Sequence, residues 1–467
     1  MCSPSESHQP LAERAGCAGY QRFTRTQLAS NRRSFLRGSA QGAMGLASAG
    51  WLTHFAESLA RASESNSGRN NNRAKSLLFI WLQGGPSQLE TFDPHPGSKI
   101  GGDAKGIDTK LPGIQIADSM PATAEQLHLT TLVRSVISKE GDHERASYHL
   151  KTGWRPDPTL VHPSIGSIIC HQSEENLEIP RHVSITPTQW PARGGYLGPA
   201  LDAFQIGDPA NKVPNLSARV PKAQMDARLD RLLGAVENEF LRGRLSNMDQ
   251  SRTLHRKATH RAVKMMHSEQ LEAFDVKQES KGTLDRFGDH EFGRGCLAAI
   301  RLLKAGVRCV EVELSGWDSH INNHDLQYGQ AKILDTALAA TLQELEAREM
   351  LDDTVVFCGG EFGRTPSINP ASGRDHWPHG FSTLLAGGRF RRGYVHGATA
   401  GNIDPATLRG PDQSIDPLKL TEDPITVPDL HATLLNALGV DHEFENMTPI
   451  GRPLRWSDGA VNSALFS

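Results

Sequence analysis

Residues 307–320, VRCVEVELSGWDSH, and residues 354–366, TVVFCGGEFGRTP, carry the pattern that decides the fold. Each opens with an apolar, β-branched run and ends at glycine, with a carboxylate or an imidazole immediately beyond. Between them, Ala331 to Arg348 places Leu334, Leu338, Leu342 and Leu345 on one helical face. Ahead of the first run, EFGRGCLAAIRLLKA over 291–305 reads as a helix closed by Gly306. Helix, strand, polar loop, helix, strand, polar loop is the alternation of a doubly wound parallel sheet. In such a sheet, ligands gather where the strands end.

The same grammar extends in both directions. Lys75 to Leu82 (KSLLFIWL) is a continuous apolar run of the kind buried on both faces of a sheet. Gly84-Gly85-Pro86-Ser87 follows it, with Glu90 and Asp93 close behind, and paired glycines let backbone N–H groups approach a ligand. Leu129 to Val136 is a second strand, followed by Asp142-His143 at the start of a helix that ends at Gly153. His182 to Ile185 and Phe381 to Ala386 complete the predicted strands, and Asp429 to Val440 is a capped amphipathic helix. Residues 190–220 read as a loop region able to rim a site. Residues 222–290 read as amphipathic helices inserted into the α/β frame.

The formal charge of the 467 residues is −3. Residues 1–62 hold seven Arg and three Glu, so the remainder carries 43 basic against 50 acidic side chains, a net of −7. That balance argues against nucleic acid as a partner. The six Cys are scattered, with neither a disulfide framework nor zinc-type spacing. Asn31-Arg32-Arg33-Ser34-Phe35-Leu36 precedes a mildly apolar Gly/Ala/Ser/Leu run, and Ala60-Arg61-Ala62 offers a small-residue cleavage site. Residues 1–62 therefore read as a twin-arginine signal peptide and 63–73 as a flexible linker ahead of one domain over 74–467. The expected location is the periplasm or the exterior, the expected partner for transit is the twin-arginine export machinery, and no later run is apolar enough to span a membrane.

Gathered from their loops, Asp142, His143, Asp318, His320, Glu361, Asp375 and His376 form a candidate metal set, since one or two divalent ions take carboxylate and imidazole ligands together. Zinc, manganese, magnesium and calcium all remain open. Arg364 and Arg374 beside them could grip an anionic group such as phosphate or sulfate. Taken singly, each element has a plainer reading: Asp142 as a helix cap, Glu361 with Arg364 as an ion pair, Asp318-Ser319-His320 as a surface loop.

The ordered set Gly84-Gly85-Pro86-Ser87, Asp142-His143, Gly316-Trp317-Asp318-Ser319-His320, Gly360 to Pro366, Gly373 to Pro378 and Asp429 to Leu435 resembles the bacterial family called domain of unknown function 1501. The resemblance spans nearly all of residues 75–460. That family is grouped with the alkaline phosphatase and sulfatase superfamily. The implied fold is therefore an alkaline-phosphatase-like α/β domain, with a mostly parallel doubly wound sheet flanked by helices. On the same resemblance, Asp318 and His320 look like a metal-ligand loop, Glu361 stands about where an Asp-His pair follows a central strand, and His376 is similar to a late single His ligand. Superfamily hydrolases carry an Asp at the end of the first strand and a Cys, Ser or Thr nucleophile. This chain has Gln83-Gly84 and Asp142-His143 at those places.

Two routes to hydrolysis follow, attack by Ser87 or attack by water with His143 as general base. Arg364 would assist in either, while Gly84, Gly85 and Arg374 would hold substrate. The expected activity is metal-dependent hydrolysis of a phosphate or sulfate ester, with a sulfated or phosphorylated polymer as one form of substrate. The alternative is a non-catalytic exported binding protein that keeps the same loops.

Overall fold

Among the described residues nine strands form one sheet, and they are numbered here in chain order: β1 Ser76–Gln83, β2 Thr130–Ile137, β3 His182–Ile185, β4 Phe204–Ile206, β5 Cys309–Ser315, β6 Thr354–Gly359, β7 Phe381–Ala386, β8 Tyr394–His396 and β9 Ile425–Thr426. The computed structural model describes residues 74–467 apart from 174–176, 215, 217–219, 242–253 and 409–418. The signal and linker expected over 1–73 lie outside the described residues. Everything below belongs to one compact unit, residues 72–467.

Across the sheet the order is β8-β2-β7-β6-β1-β5-β3-β4, with β9 pairing β2 beside that path. All pairings are parallel except those of β7, which runs antiparallel to both β2 and β6. The architecture is thus α/β with a mixed, mostly parallel sheet. The antiparallel sense of β7 is invisible in its composition, because a run buried on both faces looks the same in either direction.

The central strand β1 shows why both faces need cover. All eight of its residues are buried. Leu78, Ile80 and Leu82 point into one core, shared with the helices Glu291–Lys304 and Asn323–Ala347. Leu77, Phe79 and Trp81 point into the other, shared with Ile165–His171 and Val427–Ala437. The period of two in a strand divides one apolar run between two layers. Within residues 222–290 the helices Lys222–Leu241, Leu254–Met266 and Lys281–Phe287 are described.

The helix Asn323–Ala347 begins eight residues before the apolar periodicity that predicted it. Its first turns are polar because they pack on loops, not on the sheet. Gln327 is fully buried: its carbonyl oxygen accepts from Ser87 N at 2.9 Å and its amide donates to the Trp317 carbonyl at 2.8 Å and Ser319 Oγ at 2.9 Å. Among the described residues, no helix is long and apolar enough to cross a membrane.

His149, on the helix His143–Thr152, and His431, on Val427–Ala437, are buried. Burial pushes their imidazoles down, to about 4 and about 3. An unfolded chain takes up those protons near pH 6.5 while the folded chain does not, so stability falls as the pH drops from about 6.5 toward 4. In denaturant titrations, His149→Gln should narrow the stability lost between pH 7.5 and pH 5 by about 2 kcal/mol.

Candidate metal centre

The loops after β1, β2, β5 and β6 meet where those parallel strands end. Gly84 and Gly85 make the meeting possible. Both have positive φ, 117° and 73°, and a Cβ on Gly84 would lie 2.6 Å from the Asp318 backbone nitrogen. Their role is close backbone approach, and only glycine tolerates both the angle and the contact.

Three imidazoles converge in this space, and each has one nitrogen already assigned. His143 Nδ1 lies 2.6 Å from Glu361 Oε1, His320 Nδ1 lies 2.9 Å from Asp375 Oδ1, and His376 Nδ1 lies 2.8 Å from the Gly141 carbonyl. A carbonyl or an ionised carboxylate can only accept, so all three Nδ1 atoms carry the proton and all three Nε2 atoms of neutral rings present lone pairs. Those lone pairs point toward one another and toward Asp318. His143 Nε2 is 3.4 Å from Asp318 Oδ2, His320 Nε2 is 3.3 Å from Asp318 Oδ1, and His376 Nε2 is 3.7 Å from the same oxygen.

The contact between His320 Nε2 and His376 Nε2, 3.0 Å long, can be a hydrogen bond only if one ring is an imidazolium. His143 Nε2 is buried with no hydrogen-bond partner. Acceptors facing acceptors in one pocket call for a cation, whether a proton or a metal ion. Donor atoms of His143, Asp318 and His376 all lie within 4.8 Å of one another, a possible His/Asp metal site. Carboxylate or carbonyl oxygens behind ligating imidazoles are the usual outer support of such a site. The residues therefore fit a divalent ion.

Burial alone would lower the His143 imidazole, but the hydrogen bond and charge of Glu361, with Asp318 beyond, outweigh it and hold the group above its ordinary value. Burial would raise Asp318, and the Arg364 guanidinium reverses that and keeps the carboxyl low. His376 is pushed down to about 4 by burial, with His143 and Arg364 adding to the effect against the Gly141 carbonyl. The Trp190 ring lies parallel to His143 with centroids 6.4 Å apart, and Phe362 lies 4.4 Å from His376.

The other residues singled out in the sequence sit elsewhere in this network. Asp142 is exposed and caps the helix His143–Thr152, its Oδ1 accepting from Arg145 N at 3.2 Å. Glu361 is fully buried; its Oε1 accepts from Gln83 Nε2, Gly84 N and His143. It stands behind His143. Asp375 stands likewise behind His320. Ser87 is fully buried and its hydroxyl donates to Glu90 Oε2.

Arg364 is also fully buried, donating to the carbonyls of Gly84, Gly85 and Arg374 and to Asp318 Oδ1 at 2.8 Å. Arg374 donates to Glu90 Oε1 at 3.0 Å and to the carbonyls of Ile100, Thr365 and Pro366. Both guanidiniums are committed to the protein, so neither is poised for an anion. Asp93 is buried as well, accepting from Thr399 N at 2.7 Å.

The sequence marked Gln83 only as a departure from the superfamily pattern and did not point to Gln88 or Gln327. Gln88 clamps the Arg364 backbone through both its amide atoms, at 2.9 Å each. Gln88 follows the first strand closely, whereas Gln327 lies on a helix and nothing local in the sequence marks it; each buried neutral amide is held by several partners.

Residues 74–465 match the family described as Protein of unknown function (DUF1501). The chain belongs to the DUF1501 family. No curated protein matches it. Among solved structures, this DUF1501 chain is similar to a sulfatase from Pseudoalteromonas sp., at 10% identity over 87% of this chain and 74% of that one, with a TM-score of 0.39. It is also similar to a protein in the alkaline phosphatase superfamily from Vibrio parahaemolyticus, at 10% identity, 80% and 68% coverage and a TM-score of 0.34. A third is the C-terminal periplasmic domain of EptC from Escherichia coli in complex with zinc, at 12% identity, 79% and 83% coverage and a TM-score of 0.34. These likenesses are distant, and the chemistry of the DUF1501 site rests on its own geometry.

The distinction between facing and supporting residues is measurable by calorimetric zinc titration. Asp142→Ser keeps a helix cap and should leave affinity unchanged, whereas Asp318→Ala should abolish it. Glu361→Gln should weaken it by about 10- to 100-fold, through the ring it orients.

Proposed function

We propose that this chain is an exported hydrolase of phosphate or sulfate esters that works with a single divalent ion. His143, Asp318 and His376 hold the ion, with His320 beside them. The observation that carries this reading is the shared orientation of the imidazoles: each has its Nδ1–H tied to an oxygen, and each turns an Nε2 lone pair toward Asp318. Three imidazoles with one carboxylate favour a zinc-type ion over magnesium or calcium, which prefer all-oxygen sites. When bound, such an ion supplies a Lewis acid that polarises an ester oxygen and lowers the pKa of water.

The chain's own residues do the rest. Glu361, Asp375 and the Gly141 carbonyl fix the rings, and Arg364 fixes Asp318. Asp318 and His320 are about half-exposed, which leaves substrate a way in. With the Ser87 hydroxyl held by Glu90, attack falls to water, and His143 serves as a ligand and not as the general base. Export rests on the Arg32-Arg33 signal.

One specific observation favours the second reading, a non-catalytic exported binding protein. Arg364 and Arg374 are both committed to internal partners, so neither leaves donors aimed at a sulfate or phosphate group.

Metal content by mass spectrometry, on the wild type and on an Asp318→Ala, His376→Ala double variant, separates these readings when followed by assays with p-nitrophenyl phosphate and sulfate. We expect close to one equivalent of a transition-metal ion in the wild type, none in the variant, and ester turnover that a chelator abolishes and the metal restores. Ser87→Ala should keep its rate within about twofold. Bound metal without turnover of either ester would leave the binding reading in place. A metal-free wild type, purified with metals supplied and no chelator, would overturn the hydrolase reading and leave the fold as one used for binding.

A further inference from the structure

A second concavity is lined by the start of the loop that ends in His143. It encloses about 540 Å³, a volume typical of small-molecule sites. Ser138 and Lys139 border it, whereas His143, Asp318, His320 and His376 do not. It is therefore distinct from the imidazole cluster.

Its wall is flat and held from behind. The Trp154 and His162 rings stack with centroids 5.0 Å apart and planes 7° apart. The Trp154 indole N–H donates to the Trp456 carbonyl at 3.1 Å, and His162 Nδ1 shares a 2.9 Å hydrogen bond with the Tyr148 hydroxyl. Burial lowers the His162 imidazole, against Asp157 and with Arg452, so this wall is uncharged near neutrality. Leu160, Leu454 and Ile450 add apolar surface, and Ile450 is 56% exposed.

Three cationic side chains border the same space: Lys139, Arg155 and Arg452. Arg155 pairs with Glu140 through Nε at 2.5 Å, and its two Nη groups donate to none of the described residues. Of the two carboxylates at the border, Asp157 is occupied by the Thr159 backbone and hydroxyl at 2.7 and 2.6 Å, and Asp458 is the other. With Glu140 counted the cations and carboxylates here balance, and the Arg155 fork is the group with donors to give.

We propose that this cavity binds a flat, apolar small molecule carrying one anionic group, with its rings against Trp154 and His162 and its charge on Arg155. Preorganised aromatic surface with a few convergent polar groups is the composition of ligand pockets in general. The guanidinium supplies the planar donor pair that a carboxylate, sulfonate or phosphate needs.

The test is a fluorescence titration of the full chain with 8-anilinonaphthalene-1-sulfonate, beside the uncharged N-phenyl-1-naphthylamine. Saturable one-to-one binding of the sulfonate is expected. Arg155→Gln should weaken it by about fivefold or more and shift the neutral dye far less, the loss expected for a charge-assisted hydrogen bond. Leu454→Trp, which fills the cavity, should remove binding of both dyes. Thermal melts without dye establish that each variant is folded, and Arg155→Lys, which keeps the charge but loses the planar fork, takes the place of Arg155→Gln if the latter is not. Absence of saturable binding would overturn the proposal. So would sulfonate binding that survives Leu454→Trp, or a neutral dye bound as tightly as the sulfonate.

Discussion

The buried guanidinium of Arg364 is the constraint on which the arrangement of loops depends. From one side chain it reaches the carbonyls of Gly84 and Gly85 after the first strand, the Asp318 carboxylate after the fifth, and the Arg374 carbonyl in the loop before His376. A charge removed from water is tolerated only when its donors are satisfied and a counter-charge is near. Here that requirement forces separate loops to a common point. Arg374 repeats the device one layer further out, with Glu90 as its carboxylate. The two arginines that looked available for a bound anion are instead what lets three strand ends share one space.

Much of this was legible in the sequence, and the boundary of what was legible is physical. Strands buried on both faces announce themselves as unbroken apolar runs, and Lys75 to Leu82, His182 to Ile185 and Phe381 to Ala386 were located to within a residue or so. Direction and neighbour do not show in such runs, so the antiparallel seventh strand was out of reach. The first turns of the helix Asn323–Ala347 were missed because a helix packed on polar loops has no apolar stripe to read.

The candidate site was legible as a set of residues, and far less so as a set of roles. Residue type says that Asp142, Glu361 and Asp375 can bind metal. Only geometry says that one caps a helix while the other two stand behind imidazoles. Ser87 shows the same limit. A hydroxyl after a Gly-Gly turn reads as a nucleophile until its carboxylate neighbour, Glu90, is seen to hold it in the interior. Each local rule was sound, and the long-range partner decided which of its outcomes applied.

The pairing of the second strand has a consequence for the order in which the molecule can be assembled. Among the described residues, Thr130–Ile137 pairs within the sheet only with Phe381–Ala386, Tyr394–His396 and Ile425–Thr426, all made late in synthesis. Until residue 381 has been made, this strand has no described partner in the sheet, and the loop it leads into can be held through its contacts with Glu361 and His376. Non-local pairing of this kind delays folding. The imidazole cluster, which draws on residues 143, 318, 320 and 376, can therefore close only once residue 376 has been made, and the strand that leads into His143 can join the sheet only once residue 381 has.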